Sequence, residues 1–150
     1  MSLATAKPSA ADPTQYATFY VGEQLLGVDI RMVQEINRQL DITPVPGASR
    51  HVRGVINLRG EVATVIDLRS VLGLPPGETT RDTRNLIVHS QGEAIGLLVD
   101  RISDILTIGA DQVSPPPSNV DGVDGRFFRG VHTLEKDICV LLDVEQVLAD

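Results

Sequence analysis

The chain has 150 residues, a formal net charge of −7 and a single cysteine. That length allows one domain or two very small ones, and the negative field disfavours nucleic acid and anionic membrane surfaces as partners. One cysteine forms no disulfide within the chain, which fits a reducing compartment.

The first residues, MSLATAKPSAADP, are rich in Ala, Ser and Pro and lack the apolar centre of a secretory signal. Residues 1–15 are therefore read as a disordered tail, and no apolar stretch reaches the ~18 residues of a membrane helix. "QYATFYVGEQLLGVDI" gives two short extended runs around Gly22-Glu23, a hairpin signal. "RMVQEIN" and "LDITPVP" read as further extended segments, ended by prolines. "GVINL" and "EVATVIDL" are joined by Arg59-Gly60 as a second hairpin. A short helix follows, capped by Asp67 and stopped by Gly73 and Pro75-Pro76. A short polar linker over Pro75–Arg84 leads on. With no Trp, two Tyr and three Phe, the core must be Val, Leu and Ile, which favour strands.

The remainder repeats this order. "FYVGEQLLGVDIRMVQEI" resembles "VHSQGEAIGLLVDRISDI", with Gly27 on Gly96, an offset of 69 residues. "RGVINLRGEVATVIDLRSVL" resembles "RGVHTLEKDICVLLDVEQVL", with Arg53 on Arg129, an offset of 76 residues. The extra residues fall in "SPPPSNVDGVDGRFF", which reads as a loop. In the second copy Asp143 and Gln146 stand at capping-box spacing. Two copies of a five-stranded unit with a terminal helical turn predict an all-β fold of two small barrels, the first over about 16–80 and the second over about 84–150. Runs such as "NLIVH", "IGLLVD" and "ICVLLDV" are more continuously apolar than a sheet with one wet face needs, so the barrels are expected to pack together.

No catalytic motif emerges. Cys139 lies inside an apolar strand and reads as a small buried hydrophobe. His51, His89 and His132 lack metal-site spacing, and no Gly-rich loop opens a helix as a phosphate cradle. Asp67, Asp100 and Asp143 each follow an apolar run, but no Asp-Thr-Gly or Asp-Ser-Gly turn accompanies them. These residues point to a binding module without cofactor or metal.

One difference between the copies stands out. Where the first has Arg59-Gly60, the second has Glu135-Lys136, and both pairs are expected to close the same hairpin. On that reading the turn does not demand Arg-Gly. Arg59 is either a solvated charge or a guanidinium held out for a partner's carboxylate.

At "DIRMVQEI", "RGVINLRGEVATVIDLR" and "GLLVDRISDIL" the chain closely resembles the CheW family, adaptor proteins of bacterial chemotaxis arrays, from about Phe19 to Leu148. The resemblance implies one CheW-like domain over 16–150, made of two five-stranded SH3-like barrels with short terminal helices. It implies no catalytic activity and a cytoplasmic protein recruited to membrane-associated receptor arrays. The implied partners are a CheA-type histidine kinase and the cytoplasmic tips of methyl-accepting chemoreceptors. The implied receptor-binding positions are Val33, Glu35, Gly54, Asn57 and Arg59; the implied kinase-binding positions are Ile30, Val33 and Ile36. Adaptors of pilus-motility and related pathways look alike at this level, and a small β-barrel enzyme or ligand-binding protein is the remoter alternative. The residues alone leave other roles open. Strand alternation keeps Ile30, Val33 and Ile36 from all facing one way, and each can be core. Gly54 recurs at Gly130, which suggests close packing, and Asn57 can bond its own turn.

Overall fold

The computed structural model describes residues 13–120 and 122–149. In chain order the first copy gives β1 (Pro13–Val21), β2 (Gln24–Asp29), β3 (Val33–Asn37), β4 (Val52–Leu58), β5 (Glu61–Asp67) and α1 (Leu68–Leu72). The second gives β6 (Arg84–Ser90), β7 (Glu93–Val99), β8 (Arg101–Gly109), the two-residue strands β9 (Asn119–Val120) and β10 (Val123–Asp124), then β11 (Phe128–Thr133), β12 (Ile138–Leu142) and α2 (Val144–Leu148). Most of the expected tail, residues 1–12, lies outside the described residues. Its end does not stay a tail, because β1 already begins at Pro13 and Pro13 to Gln15 pair with β8.

Local chemistry sets the breaks. Gly22, at φ 62, turns β1 into β2. The Asp67 carboxylate accepts the Arg69 N–H at 3.1 Å and starts α1, and Gly73, in the left-handed region at φ 75, ends it. Asp143 does the same for α2 by accepting the Gln146 N–H at 3.3 Å. "LDITPVP" forms no strand. Pro44 and Pro46 bring no N–H to a ladder, and the segment keeps a single bridge at Thr43.

Two five-stranded sheets result: a first sheet in the order β11-β12-β2-β1-β8, and a second in the order β3-β6-β7-β5-β4. The expected division into barrels over 16–80 and 84–150 does not hold. Each sheet takes its two-stranded hairpin from one copy and its other three strands from the other. The exchange is sealed by parallel pairing of β2 with β12 and of β5 with β7. A repeat reveals the unit but not which copy a strand pairs with, because both copies offer the same edges.

Packing explains the continuous apolar runs. One face of each sheet meets a shared central core containing Phe19, Leu26, Val28, Leu86, Val88, Leu97, Val140 and Leu142. The other face lines a small core of its own, around Ile56, Val65 and Ile87 in the second sheet and around Tyr16, Ile108 and Leu141 in the first. Strands buried on both faces carry no polar alternation. The expected loop "SPPPSNVDGVDGRFF" is more than a loop: it carries the β9–β10 hairpin and plugs Val123, Phe127 and Phe128 into the central core.

The sheets curl without closing into continuous barrels. Chain running on from β3 reaches the opposite edge through a Thr43–Val55 bridge, and chain running on from β8 does so through Ser114–Val131. A glycine sits beside each bridge. A Cβ on Gly54 would lie 2.1 Å from the Thr43 carbonyl oxygen, and one on Gly130 would lie 2.8 Å from that of Ser114. The recurrence of Gly54 at Gly130 is thus explained by close approach of backbones.

Candidate functional site

β3 begins with an irregularity. Val33 pairs with Val88 and Glu35 with Ile87, so Gln34 is an extra residue, a β-bulge. Residues directly opposite share a face. Val33 therefore lies on the central-core side with Val88, while Glu35 lies with Ile87 on the other. Beyond the bulge alternation resumes, and Ile36, opposite Leu86, returns to the side of Val33. The expectation that alternation separates these residues fails for Val33 and Ile36 because of the bulge. Val33 is half-buried against the central core, whereas Ile36 is 41% exposed on an edge strand. Ile30 precedes them, half-buried in a single 3₁₀ turn over Ile30–Met32.

The β4–β5 hairpin supplies the opposing side. Arg59 and Gly60 form its two-residue turn with φ 53 and φ 88. Positive φ at both central positions is the twist-matched hairpin geometry, and the second position needs glycine. The match with Glu135-Lys136 does not carry over to geometry. There the connection spans Leu134 to Asp137, closed by the Leu134 N–H on the Asp137 carbonyl at 2.8 Å, and neither Glu135 nor Lys136 has a positive φ. The first hairpin does demand Gly60, then, because its loop is shorter. Asn57 bonds its own turn, accepting the Gly60 N–H on Oδ1 at 2.8 Å.

Although β3 and β4 are opposite edges of the second sheet, their residues meet. Arg59 Nη1 donates to Glu35 Oε1 at 2.5 Å. Arg59 is 72% exposed and Glu35 19%, so the guanidinium is anchored at its base and open above. The Asn37 amide donates to Glu35 Oε2 at 3.0 Å. Asn37 first and Arg59 second hold the Glu35 carboxyl below its ordinary range.

Of the expected receptor positions, Glu35, Asn57 and Arg59 thus come together on one surface. Val33 lies on the other face of β3, and Gly54 is buried at the bridge. Asn37 and Gln39 were not picked out by sequence reasoning. Their signal was present: at the matching positions of the second copy stand Leu106 and Ile108. Arg69 and Asp100 were also missed as a pair. Arg69 Nη2 donates to Asp100 Oδ2 at 2.6 Å, and the Gly22 N–H reaches the same oxygen at 2.6 Å, tying α1 to the β7–β8 connection and the β1–β2 turn.

A cleft of about 810 Å³ lies elsewhere, between the β1–β2 turn and the β11–β12 hairpin, and none of the expected site residues lines it. Cys139 is buried, which pushes its thiol up to about 12, so it carries no thiolate at neutral pH. Among the described residues no group of three or more His, Cys, Asp or Glu is placed to hold a metal ion. No helix among them is long and apolar enough to cross a membrane.

Residues 15–150 match the CheW-like domain family. The chain is 37% identical over 131 residues to the chemotaxis protein CheW of Rhizobium meliloti, covering 86% of this chain and 83% of that protein. It is 33% identical over 132 residues to a probable chemotaxis protein CheW of Rhizobium etli, covering 88% and 85%. Its fold is similar to the crystal structure of the scaffolding protein TtCheW from Thermoanaerobacter tengcongensis, with a TM-score of 0.81 at 30% identity over 87% of this chain and 89% of that one.

Proposed function

The chain belongs to the CheW-like domain family, and from that premise we propose that it is a non-catalytic adaptor coupling chemoreceptor tips to a CheA-type histidine kinase. It works on the cytoplasmic side, recruited to membrane-associated receptor arrays. The observation that carries this reading is the meeting of Glu35, Asn57 and Arg59 across opposite edges of the second sheet. A salt bridge open at its outer end, beside backbone held in a fixed turn, suits the polar flank of a receptor helix. Val33, half-buried, and Gly54, buried, contribute through the backbone form beneath this surface.

The kinase contact falls on the other side of the same edge strand. Ile36 is an exposed aliphatic residue among the charged and polar side chains of β3, on the same side as the half-buried Val33, which packs against the central core, and Ile30 lies in the 3₁₀ turn that leads into the strand. A covered apolar contact here fits the kinase's regulatory domain. The two surfaces share β3, so receptor and kinase would read the same strand from its two faces.

The test is paired titration calorimetry with the purified protein. Arg59→Glu is expected to weaken binding of a receptor-tip fragment and leave the kinase regulatory domain bound. Ile36→Asp, at an exposed site where folding is expected to survive, should do the reverse by placing an unpaired charge in the contact. Two folded variants that bind both partners at wild-type strength would remove β3 from both interfaces.

A further inference from the structure

Glu35, Asn37, Gln39, Asn57 and Arg59 close a ring of hydrogen bonds across the gap between the two edges of the second sheet. From the Arg59–Glu35 pair it runs through the Asn37 amide on Glu35. Asn37 Oδ1 accepts the Gln39 N–H at 3.0 Å. Gln39 Nε2 then crosses to the Asn57 carbonyl at 2.5 Å, and Asn57 Oδ1 accepts from Gly60, next to Arg59. One fully buried side chain fixes the ring from below: Asn85 Nδ2 donates to the Gln39 carbonyl at 2.5 Å. The other end of that amide, Oδ1, is buried with no hydrogen-bond partner. A buried polar group half-satisfied in this way works against folding. Its one bond is the hold on Gln39.

The second copy shows that the fold does not require this ring. At the matching positions of the first sheet stand Asp104, Leu106, Ile108, Thr133 and Glu135, with Tyr16 in place of Asn85. The registers agree: Asn37 pairs with Asn85 as Leu106 pairs with Tyr16. Tyr16 and Ile108 are core residues, and Leu106 packs on them. The same frame, with the same bridge and the same glycine, is built there from apolar groups. Polar residues in three places where the repeat uses Tyr, Leu and Ile therefore serve something other than the frame.

We propose that Asn37 and Gln39 are positioning residues of the receptor surface: they hold Glu35 and Arg59, which come from opposite sheet edges, in one fixed arrangement. The assignment of that surface to a receptor rests on the function proposed above. The ring itself does not. Without Gln39, the hydrogen bond left between the tip of the β4–β5 hairpin and β3, among the described residues, is the one at the exposed end of Arg59, and an exposed ion pair alone holds little.

The experiment uses the full chain and a soluble chemoreceptor-tip fragment from the same organism, with binding by calorimetry and the Glu35 carboxyl followed by carbon NMR. Gln39→Met, of similar size without donor or acceptor, is expected to melt as the wild type does and to bind the fragment about three- to ten-fold more weakly. Gln39→Glu, which loses only the donor, is the second variant should Gln39→Met fold poorly. In an Arg59→Ala background the Gln39 change should cost nothing further, because it acts through Arg59. Asn37→Leu should raise the Glu35 titration toward its ordinary range. Wild-type binding by Gln39→Met while Arg59→Ala binds weakly overturns the positioning role and leaves the receptor surface standing. An undiminished effect in the Arg59→Ala background overturns it too, since the residue then acts through the fold. If Arg59→Ala binds as wild type, the receptor surface itself has failed. The Glu35 titration then still reports whether the ring exists, but the positioning role proposed for it has gone with the surface.

Discussion

In both sheets the chain leaves an edge strand, swings across and bridges to the opposite edge beside a glycine: Thr43 to Val55 beside Gly54, Ser114 to Val131 beside Gly130. Each unit ends in a five-residue helix begun by an aspartate. The edges themselves differ. β8 runs nine residues and keeps pairing with β1 as far as Pro13, with Leu106 and Ile108 turned into the small core. β3 stops after five, where Asn37 and Gln39 turn to side-chain hydrogen bonds. At the facing hairpin the second sheet has a two-residue turn and the first a four-residue connection. What the sheets share is the machinery of folding. Where they differ, the sequence has been freed from that machinery, and function is best sought there.

The strongest way to break this comparison is to put the polar edge into the apolar sheet. Ile108 is 1% exposed. Ile108→Gln removes a buried side chain and leaves an amide among Tyr16, Leu141 and Cys139 without designed partners. It is expected to cost about 4 kcal/mol in urea unfolding. The reverse exchange, Gln39→Ile, should cost far less, because Gln39 is only half-buried. Equal costs would mean that the two edges are not specialised.

The bridges give the next largest effect. Gly54 has φ 147, and an added Cβ would meet backbone: the Thr43 carbonyl oxygen at 2.1 Å and its carbon at 2.7 Å. No side-chain rotation relieves that, so the Thr43–Val55 hydrogen bonds must open. Gly54→Ala is expected to cost about 3 kcal/mol. At Gly130 the nearest contact is a side-chain methyl of Val113 at 2.5 Å, the backbone contact with the Ser114 carbonyl oxygen is longer at 2.8 Å, and φ is not positive. Gly130→Ala should cost about 1 to 2 kcal/mol. Thermal melts of the two variants decide whether the second sheet is closed more tightly.

Much of this was legible in the sequence, for identifiable reasons. The hairpins at Gly22-Glu23 and Arg59-Gly60, and the helices at Asp67 and Asp143, depend on neighbours and were readable from turn and cap residues. Packing of the two units against each other followed from apolar runs without polar alternation. The exchange of hairpins between units was not readable, because the copies offer equivalent edges and pairing is decided at long range. The bulge at Gln34, which sets Val33 and Glu35 on opposite faces, leaves no mark in residue type. Arg59 stood out in the difference between the copies, Glu35 and Asn57 came from a resemblance, and only the curl of the sheet brings Arg59 to Glu35. Asn37 and Gln39 were within reach of a column-by-column comparison of the copies.

Smaller effects are expected at the hairpin tips, where the comparison is sharpest. Glu135→Lys changes an exposed residue of the four-residue connection and should move stability by less than about 0.5 kcal/mol. It should leave receptor-tip binding unchanged. Arg59→Glu should also change stability little, but it sets a second carboxylate against Glu35 and should weaken receptor-tip binding strongly. Equal loss of binding from both tips would assign the receptor to both sheets.

The smallest effect is in pH. Glu35 is held below its ordinary carboxyl range by Asn37 and then by Arg59, so it binds fewer protons folded than unfolded near that range. A depressed carboxyl contributes stability that is fully present above the unfolded value and is lost as pH falls through the folded one. Glu35→Gln mimics the protonated side chain. Wild type should therefore exceed Glu35→Gln in stability at neutral pH by a small margin, because Arg59 is largely exposed and solvent screens the pair. That margin should close on acidification below the ordinary carboxyl range, and high salt at neutral pH should narrow it as well. Urea unfolding of both proteins at neutral and acid pH measures it. A margin that is the same at both pH values would mean that the Glu35 charge contributes nothing, leaving the amides of Asn37 and Gln39 to hold the surface alone.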